Sequence, residues 1–451
     1  MANAVSQAGT SPVRKLFGTD GVRGVAGEFL TADLALALGR SATASAPAKA
    51  PQVLIVRDTR ESGEMLEAAL AAGVAAAGGH ALLGGVLPTP GAPLLLRRFG
   101  FDLAAVVSAS HNPYRDNGIK FFGPDGTKLS DEHEARIEQL VDQVDAGVSA
   151  HPGRVEELHG AGGDYLRELE SRFRDLDLSG KRVLLDCANG ATHRVAPEIF
   201  RRLKADVDAF ATEPDGRNIN AGVGSTHIDG LAERVRDGGY DAGFAFDGDG
   251  DRVLAADRNG VVVDGDELIA LAALHLRARD ALPGNGVAVT VMTNYGFHQA
   301  MREHGIEVAT TPVGDRHVLT ELLRRGWALG GEQSGHIIDT GFVPSGDGLA
   351  AALLTLEAIG PDGDLAGRDA MEKLPQRLVN VRVADLDAVA DATPVWDAAQ
   401  TESKALEGRG RVLIRPSGTE PLVRVMVEAP DAAECDAICA RLVETVEREL
   451  G

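Results

Sequence analysis

The sequence predicts an α/β protein: three related α/β units followed by a smaller α+β unit at the C-terminal end. Short apolar runs that suit buried strands alternate with Ala- and Leu-rich helical stretches, and each of the first three units reaches a polar loop some tens of residues after its opening strand and helix. From about Pro375 the rhythm changes to apolar/polar alternation, as in Leu378-Val379-Asn380-Val381-Arg382-Val383 and Val423-Arg424-Val425-Met426-Val427. A chain of 451 residues is too long for one core and suits three or four domains. The boundaries are placed at 1–163, 164–266, 267–374 and 375–451.

Composition narrows the function. Hydrophobic content of 44% and charged content of 25% are those of an ordinary globular protein. With 45 basic and 67 acidic residues the formal charge is −22, a surface that repels nucleic-acid phosphates and anionic membranes. Cys187, Cys435 and Cys439 make no disulfide framework and fit a reducing, cytoplasmic setting. Cys435 and Cys439 are expected to pack on one helix face. Met1 to Pro12 lacks both a basic and an apolar segment and reads as a loose tail, and the Ala-rich run 68–79 is too short and Gly-broken to span a bilayer.

In the first unit, Phe17-Gly18-Thr19-Asp20-Gly21-Val22-Arg23-Gly24 allows close backbone approach, with Arg23 available to a phosphate. Thr31 caps a helix, Val53 to Val56 is a strand, Ser62 is expected to cap the next helix, and a strand and turn follow from Leu82 to Pro90. The apolar run Leu103 to Val107 then delivers Ser108-Ala109-Ser110-His111-Asn112-Pro113, where Pro113 stops the ladder. Ser110 at a strand exit, with His111 adjacent and Lys120 in the following Asn117-Gly118-Ile119-Lys120, is either a covalent way station or an ordinary turn. A hydrolase elbow is disfavoured because Ala109 and His111 flank the serine. An acidic first turn after Ser130 opens a helix over 134–144, and 147–163 reads as a linker.

The second unit runs through the strands Arg182 to Asp186 and Ala242 to Phe246 into Asp247-Gly248-Asp249-Gly250-Asp251-Arg252. Alternating glycines let three carboxylates converge. Two unit charges about 4 Å apart interact by roughly 4 kcal/mol at an effective dielectric of 20, so the trio needs a cation, and oxygen-only ligands select Mg²⁺ or Ca²⁺. An EF-hand is excluded: its sixth position would be Arg252 and its twelfth Arg258. The third unit leads from the strand Val287 to Met292 and a helix after Gly296 to Gly330-Gly331-Glu332-Gln333-Ser334-Gly335-His336, whose Glu332 and Ser334 suit vicinal sugar hydroxyls. In the last unit, Arg415-Pro416-Ser417-Gly418-Thr419 offers a guanidinium fork, two hydroxyls and glycine-exposed backbone to a phosphate, or is a surface turn. The P-loop pattern is absent.

Together, and in this order, the four loops resemble the α-D-phosphohexomutase superfamily over nearly the whole chain. The Phe17-Gly-Thr-Asp-Gly-Val-Arg-Gly, Gly-Glu-Gln-Ser-Gly-His and Arg-Pro-Ser-Gly-Thr-Glu-Pro-Leu-Val-Arg segments are most similar to its bacterial branch acting on glucosamine phosphates. Departures are His317, where Tyr is commoner, and Thr89-Pro90-Gly91, where Thr-Pro-Ala is usual. The resemblance implies mixed sheets around a central cleft. It also implies one Mg²⁺ on Asp247, Asp249, Asp251 and a phosphorylated Ser110, with Lys120 and Arg252 steadying the moving phosphoryl. Lys120, imagined with a lowered pKa among cations, and His111 are candidates to handle the hydroxyl proton. Glu332, Ser334 and His336 would hold the sugar, Arg415, Ser417, Gly418 and Thr419 the idle phosphate, with Arg23 in support.

The implied reaction interconverts glucosamine 6-phosphate and glucosamine 1-phosphate through glucosamine 1,6-bisphosphate, which also serves as activator, toward UDP-N-acetylglucosamine and peptidoglycan precursors. Alternatives are a phosphomannomutase/phosphoglucomutase, a metal-dependent sugar phosphatase, and a noncatalytic sugar-phosphate binding protein. The partner is a small sugar phosphate rather than nucleic acid or membrane. The donor that first phosphorylates Ser110 stays open, as does the oligomer, a homodimer being one option.

Overall fold

The structure is a computed structural model and describes residues 16–18, 20–143, 147–416 and 421–451. Its first sheet contains β1 (Val22–Val25), β2 (Gln52–Arg57), β3 (His80–Val86), β4 (Leu103–Val107), β5 (Asp116–Phe122) and β6 (Val155–Glu157), in the order β1-β5-β4-β2-β3-β6. β6, β3, β2 and β4 run parallel, whereas β5 is antiparallel to both of its neighbours, β4 and β1. Parallel neighbours require crossovers, and the helices Ser62–Ala76 and Gly91–Phe99 supply them. Strands covered on both faces read as continuous apolar runs, which is why Leu103–Val107 is wholly buried. Leu38, Ile55, Leu66, Leu70, Val107 and Ile119 lie at the centre of this core.

The second sheet holds β7 (Arg182–Asp186), β8 (Asp206–Phe210), β9 (Ala242–Phe246), β10 (Val253–Asp257) and β11 (Val262–Val263), in the order β11-β10-β9-β7-β8. The third holds β12 (Gly286–Thr290), β13 (Glu307–Thr311), β14 (Leu329–Gly331), β15 (Ile337–Asp339) and β16 (Val343–Gly346), in the order β13-β12-β14-β15-β16. In all three sheets the polar loop joins a parallel strand to its antiparallel neighbour. β4 pairs β5 with Val107 opposite Ile119, β9 pairs β10 with Phe246 opposite Val253, and β14 pairs β15 with Gly331 opposite Ile337. The direction change frees the strand end for a short exposed connection where a crossover helix would otherwise cover it.

The last sheet is antiparallel, β17 (Gln376–Arg382), β18 (Arg411–Pro416) and β19 (Leu422–Glu428) in the order β17-β19-β18, covered by the helices Thr393–Ala405 and Ala432–Leu450. Cys435 and Cys439 share the buried face of the last helix with Leu442 and lie in one core with Val425 and Val427 of β19, as their spacing predicts. The chain forms two compact units, Met1–Val291 with Ala309–Arg368, and Met292–Val308 with Asp369–Gly451. The helix Tyr295–Glu303 belongs to the second, where the Tyr295 N–H donates to Glu428 at 2.8 Å. The three hairpin loops all belong to the first.

Two local expectations change. The segment 147–163 is more than a linker, since Val155–Glu157 adds to the edge of the first sheet beside β3 and a helix starts at Ala161. Three residues with exposed side chains leave no apolar pattern from which to read a strand. Ser62 does not cap its helix: it is the first helical residue, and its hydroxyl accepts from Asn117 at 2.9 Å. No helix of the described residues is long and apolar enough to cross a membrane.

Candidate active site

Ser110 leaves β4 with φ at 52°, a left-handed conformation that costs a non-glycine residue of order 1–3 kcal/mol unless its surroundings fix it. They do. Its N–H donates to Ser108 Oγ at 2.9 Å, and its carbonyl accepts from Arg60 Nη2 at 2.8 Å and Asn220 Nδ2 at 2.9 Å. Arg60 is fully buried, paired with Asp58 at 2.9 Å, and donates also to the carbonyls of Asn112 and Pro113 at 3.0 and 2.8 Å. One planar fork thereby sets three successive turns of the loop. The result aims Ser110 Oγ at Asp247 Oδ2, 2.5 Å away, with His111 Nδ1 at 3.3 Å on its other side.

The opposing loop is the β9–β10 hairpin. Its carboxylates Asp247, Asp249 and Asp251 are buried, each offering an oxygen within 4.8 Å of the others. Gly248 is required by the approach of the two loops: a Cβ there would stand 2.7 Å from both the Ser110 carbonyl oxygen and Asn220 Nδ2. Burial, then the charges of Asp251 and Asp249, push Asp247 well above the usual carboxylate range. Burial also opposes ionisation of Asp251, but His336, Lys120 and Arg252 together hold it well below that range. Asp249 Oδ1 and Asp251 Oδ1 are buried and without a hydrogen-bond partner. Three convergent buried carboxylates with orphaned oxygens fit a hard divalent cation such as Mg²⁺.

Lys120 overturns one expectation. Its ammonium, 1% exposed, lies 2.8 Å from Asp249, 3.5 Å from Asp20 and 3.7 Å from Asp251. Burial alone would lower its pKa, but Asp20, Asp249 and Asp251 outweigh burial and raise it far above the ordinary value. The lysine is surrounded by carboxylates, not cations, so it is a fixed positive charge and a poor proton acceptor. His111, by contrast, is pushed down by burial and by Arg252 and Arg23, which keeps a neutral ring beside Ser110 Oγ.

A cavity of about 350 Å³ opens beside the aspartates, with Arg23, Arg252, Glu332 and His336 in its wall. Arg23 and Arg252 each keep a buried Nε without a hydrogen-bond partner. Glu332 Oε1 accepts from the Gly314 N–H at 3.0 Å, which fixes the carboxylate from behind, and Ser334 is exposed at the turn of the hairpin. His336 is not a free sugar ligand: buried, it accepts the Gly346 N–H on Nε2 at 3.1 Å, while Nδ1 faces Asp251 at 3.6 Å. In the second unit, Arg415 on β18 stands opposite Arg424 on β19, whose Nε is buried and unpartnered. Burial and the Arg424 charge lower the Arg415 pKa, as expected of a like-charged pair suited to an anion. Ser417, Gly418 and Thr419 lie outside the described residues.

Four consecutive stretches match phosphoglucomutase/phosphomannomutase domains: alpha/beta/alpha domain I over residues 14–147, domain II over 163–260, domain III over 264–378 and the C-terminal domain over 378–445. The chain belongs to the phosphoglucomutase/phosphomannomutase family. Among relatives in that family, phosphoglucosamine mutase of Geobacillus kaustophilus is 46% identical over 447 residues, covering 97% of this chain and 99% of its own. Phosphoglucosamine mutase of Bacillus cereus is 45% identical over the same length and coverage. The fold is also that of a phosphoglucomutase/phosphomannomutase family protein from Burkholderia thailandensis, with TM-score 0.79, 24% identity and 96% and 97% of the two chains covered. An N-acetylphosphoglucosamine mutase of Aspergillus fumigatus, solved with GlcNAc-6P and magnesium, superposes with TM-score 0.67 at 18% identity, covering 97% and 96%.

Several site residues of this family member escape sequence reasoning. Asp20 pairs with Lys120, Lys128 and Arg23. Thr89 donates its hydroxyl to Asp249 Oδ2 at 2.6 Å. Arg60 and Asn220 hold the Ser110 carbonyl. Each sits in a segment that reads as an ordinary turn, and only the glycines around Asp20 mark an unusual stretch.

Proposed function

We propose that this chain is a phosphoglucosamine mutase, interconverting glucosamine 6-phosphate and glucosamine 1-phosphate. The observation that carries the reading is Ser110 Oγ at 2.5 Å from Asp247 within a buried carboxylate trio, in a chain 45–46% identical over its length to phosphoglucosamine mutases. Phosphorylated Ser110 gives its phosphoryl group to O1 of glucosamine 6-phosphate: the P–Oγ bond breaks, a P–O1 bond forms, and the O1 proton leaves to a base. The 1,6-bisphosphate turns over in place and returns its 6-phosphate to Ser110 by the reverse chemistry, leaving glucosamine 1-phosphate.

Asp247, Asp249 and Asp251 would hold the Mg²⁺, which when bound supplies positive charge to the transferring phosphoryl oxygens. Lys120 and Arg252 add fixed positive charge from the protein, and the neutral ring of His111 is the better placed acceptor for the hydroxyl proton. Glu332 and Ser334 would bind the sugar hydroxyls common to both orientations. Arg415, Ser417, Gly418 and Thr419 would hold the phosphate not being transferred, and Arg23 would play a supporting part. Its buried free thiols suit the cytoplasm.

Ser110→Ala is expected to abolish interconversion, and undiminished turnover in that variant removes the covalent scheme. Competition between glucosamine, glucose and mannose phosphates at equal concentration tests the substrate. The kcat/KM ratio must favour glucosamine, and a ratio favouring mannose or glucose makes the chain a phosphomannomutase/phosphoglucomutase instead.

A further inference from the structure

Five charged side chains and His336 close a ring beside the sugar cavity. Asp251 faces Lys120 at 3.7 Å, and Lys120 faces Asp20 at 3.5 Å. Asp20 is bonded to Lys128, which reaches Asp315 at 2.5 Å; Asp315 faces His336 at 3.7 Å, and His336 returns to Asp251 at 3.6 Å. Lys120, Asp251 and His336 belong to the loops already described, but Lys128 and Asp315 do not.

Lys128 follows the first sheet, where it bridges back to Phe122, and its side chain is 13% exposed. Asp315 opens the helix Asp315–Arg325, one residue after the Gly314 N–H that fixes Glu332. This pair forms part of the wall of a second cavity of about 510 Å³, in which Phe122, Leu129, Leu319 and Ile338 stand among polar side chains. The two cavities share Asp131, Asp315, Arg316, His317 and His336 as wall. The partition between them is therefore built from ion pairs: Lys128 with Asp20 and Asp315, and Arg316 with Asp131 and with Glu134 at 2.7 Å.

We propose that Lys128 is a positioning residue that locks the 313–317 segment against the transfer site and keeps the water of the second cavity from the phosphoserine. The proposal rests on the phosphoserine reading above. Without the ammonium, Asp20 and Asp315 repel each other, so the partition opens and Glu332 loses the register that Gly314 gives it. The side reaction this exposes is hydrolysis. Water oxygen attacks the phosphorus of phosphorylated Ser110, the P–Oγ bond breaks, Oγ takes up a proton and inorganic phosphate leaves.

The test follows isomer formation and inorganic phosphate release together in the full-length chain with Mg²⁺, for the wild type, Lys128→Met, Lys128→Arg, Asp315→Asn and the Lys128→Met/Asp315→Asn double variant. Lys128→Met is expected to lower interconversion about tenfold or more and to raise phosphate released per isomer formed several-fold, with divalent affinity unchanged. Lys128→Arg should restore most of both, and the double variant should be no worse than the poorer single one. The proposal is overturned by a Lys128→Met enzyme within about twofold of wild type on both readouts, by an Arg variant no better than Met, or by losses that multiply in the double variant. A wild-type chain that interconverts nothing refutes the mutase reading alone. The partition is then judged by glucosamine 6-phosphate affinity in calorimetry, which Lys128→Met must weaken about fivefold or more and Lys128→Arg must keep.

Discussion

Ser110 Oγ donates to Asp247 Oδ2 at 2.5 Å across 137 positions of sequence. The pair joins a strand exit of the first sheet to a hairpin of the second, and it places a serine hydroxyl on the rim of a carboxylate trio able to hold a divalent cation. Lys120 compensates Asp249 and Asp251, but the Asp247 carboxylate is held against both with burial opposing its charge, which makes the site costly for stability and suited to function.

The carboxylate trio should therefore trade stability for activity. Asp247→Asn is expected to cut divalent-dependent turnover by about a hundredfold or more while raising the melting temperature measured in chelator, because it removes the carboxylate whose charge burial, Asp251 and Asp249 all oppose. Addition of Mg²⁺ should raise the wild-type melting temperature and leave the variant nearly unmoved. A variant that melts lower than wild type in chelator, and still gains from Mg²⁺, contradicts the role assigned to the trio.

Gly248→Ala should be far more damaging than an ordinary loop substitution. The added Cβ meets backbone oxygen of the Ser110 loop at 2.7 Å, and that oxygen is pinned by Arg60 and Asn220. Overpacking of this kind costs about 1–3 kcal/mol, and the two reacting loops must part to relieve it. Denaturant melts should show that loss, and turnover should fall by a larger factor than the stability change explains.

Arg60 tests how the loop is held. Arg60→Met leaves the buried carboxylate of Asp58 without its cation and takes one donor from each of three carbonyls, a loss of about 3–5 kcal/mol by analogy with broken buried pairs. Arg60→Lys should recover little, because a point charge cannot span the separate acceptors that the fork reaches. Unfolding free energies of the two variants decide it; a lysine enzyme with wild-type stability rules the fork out.

A fourth test is a pH dependence. Asp347 caps the helix Gly348–Ile359 by accepting the Ala350 N–H at 2.9 Å and also accepts the Tyr165 hydroxyl at 2.9 Å, and burial raises its pKa to about 6. A raised pKa means that the folded chain holds this proton more tightly than the unfolded one. Its contribution to stability is full below about pH 4 and is lost as pH rises through 6, in all by about 3 kcal/mol for a two-unit shift. Asp347→Asn keeps an oxygen for the cap and for Tyr165 but carries no charge to bury. Its melting temperature should match wild type near pH 4 and exceed it above pH 6, and a difference that does not change with pH sinks the assignment.

Chemistry-bearing loops were legible because each concentrates unusual residues in one stretch: Ser108 to Pro113, Asp247 to Arg252, Gly331 to His336. Glycine spacing and apolar strands ahead of them made their shape readable too. Asp20, Arg60, Thr89, Lys128, Asn220 and Asp315 were not legible as site residues, since each is one polar side chain in a plain turn and acquires its meaning from a partner on another segment. The same reason misjudged Lys120. The resemblance led to a lysine among cations, whereas folding brings Asp20, Asp249 and Asp251 against its ammonium.

Local pattern by itself determined the α/β class, the change of rhythm before the last sheet and the convergence of the acidic trio, because strand periodicity and loop composition are properties of contiguous residues. Only the tertiary structure decided which charges face each other. Electrostatic environment depends on distance and burial, and segments more than a hundred positions apart set both.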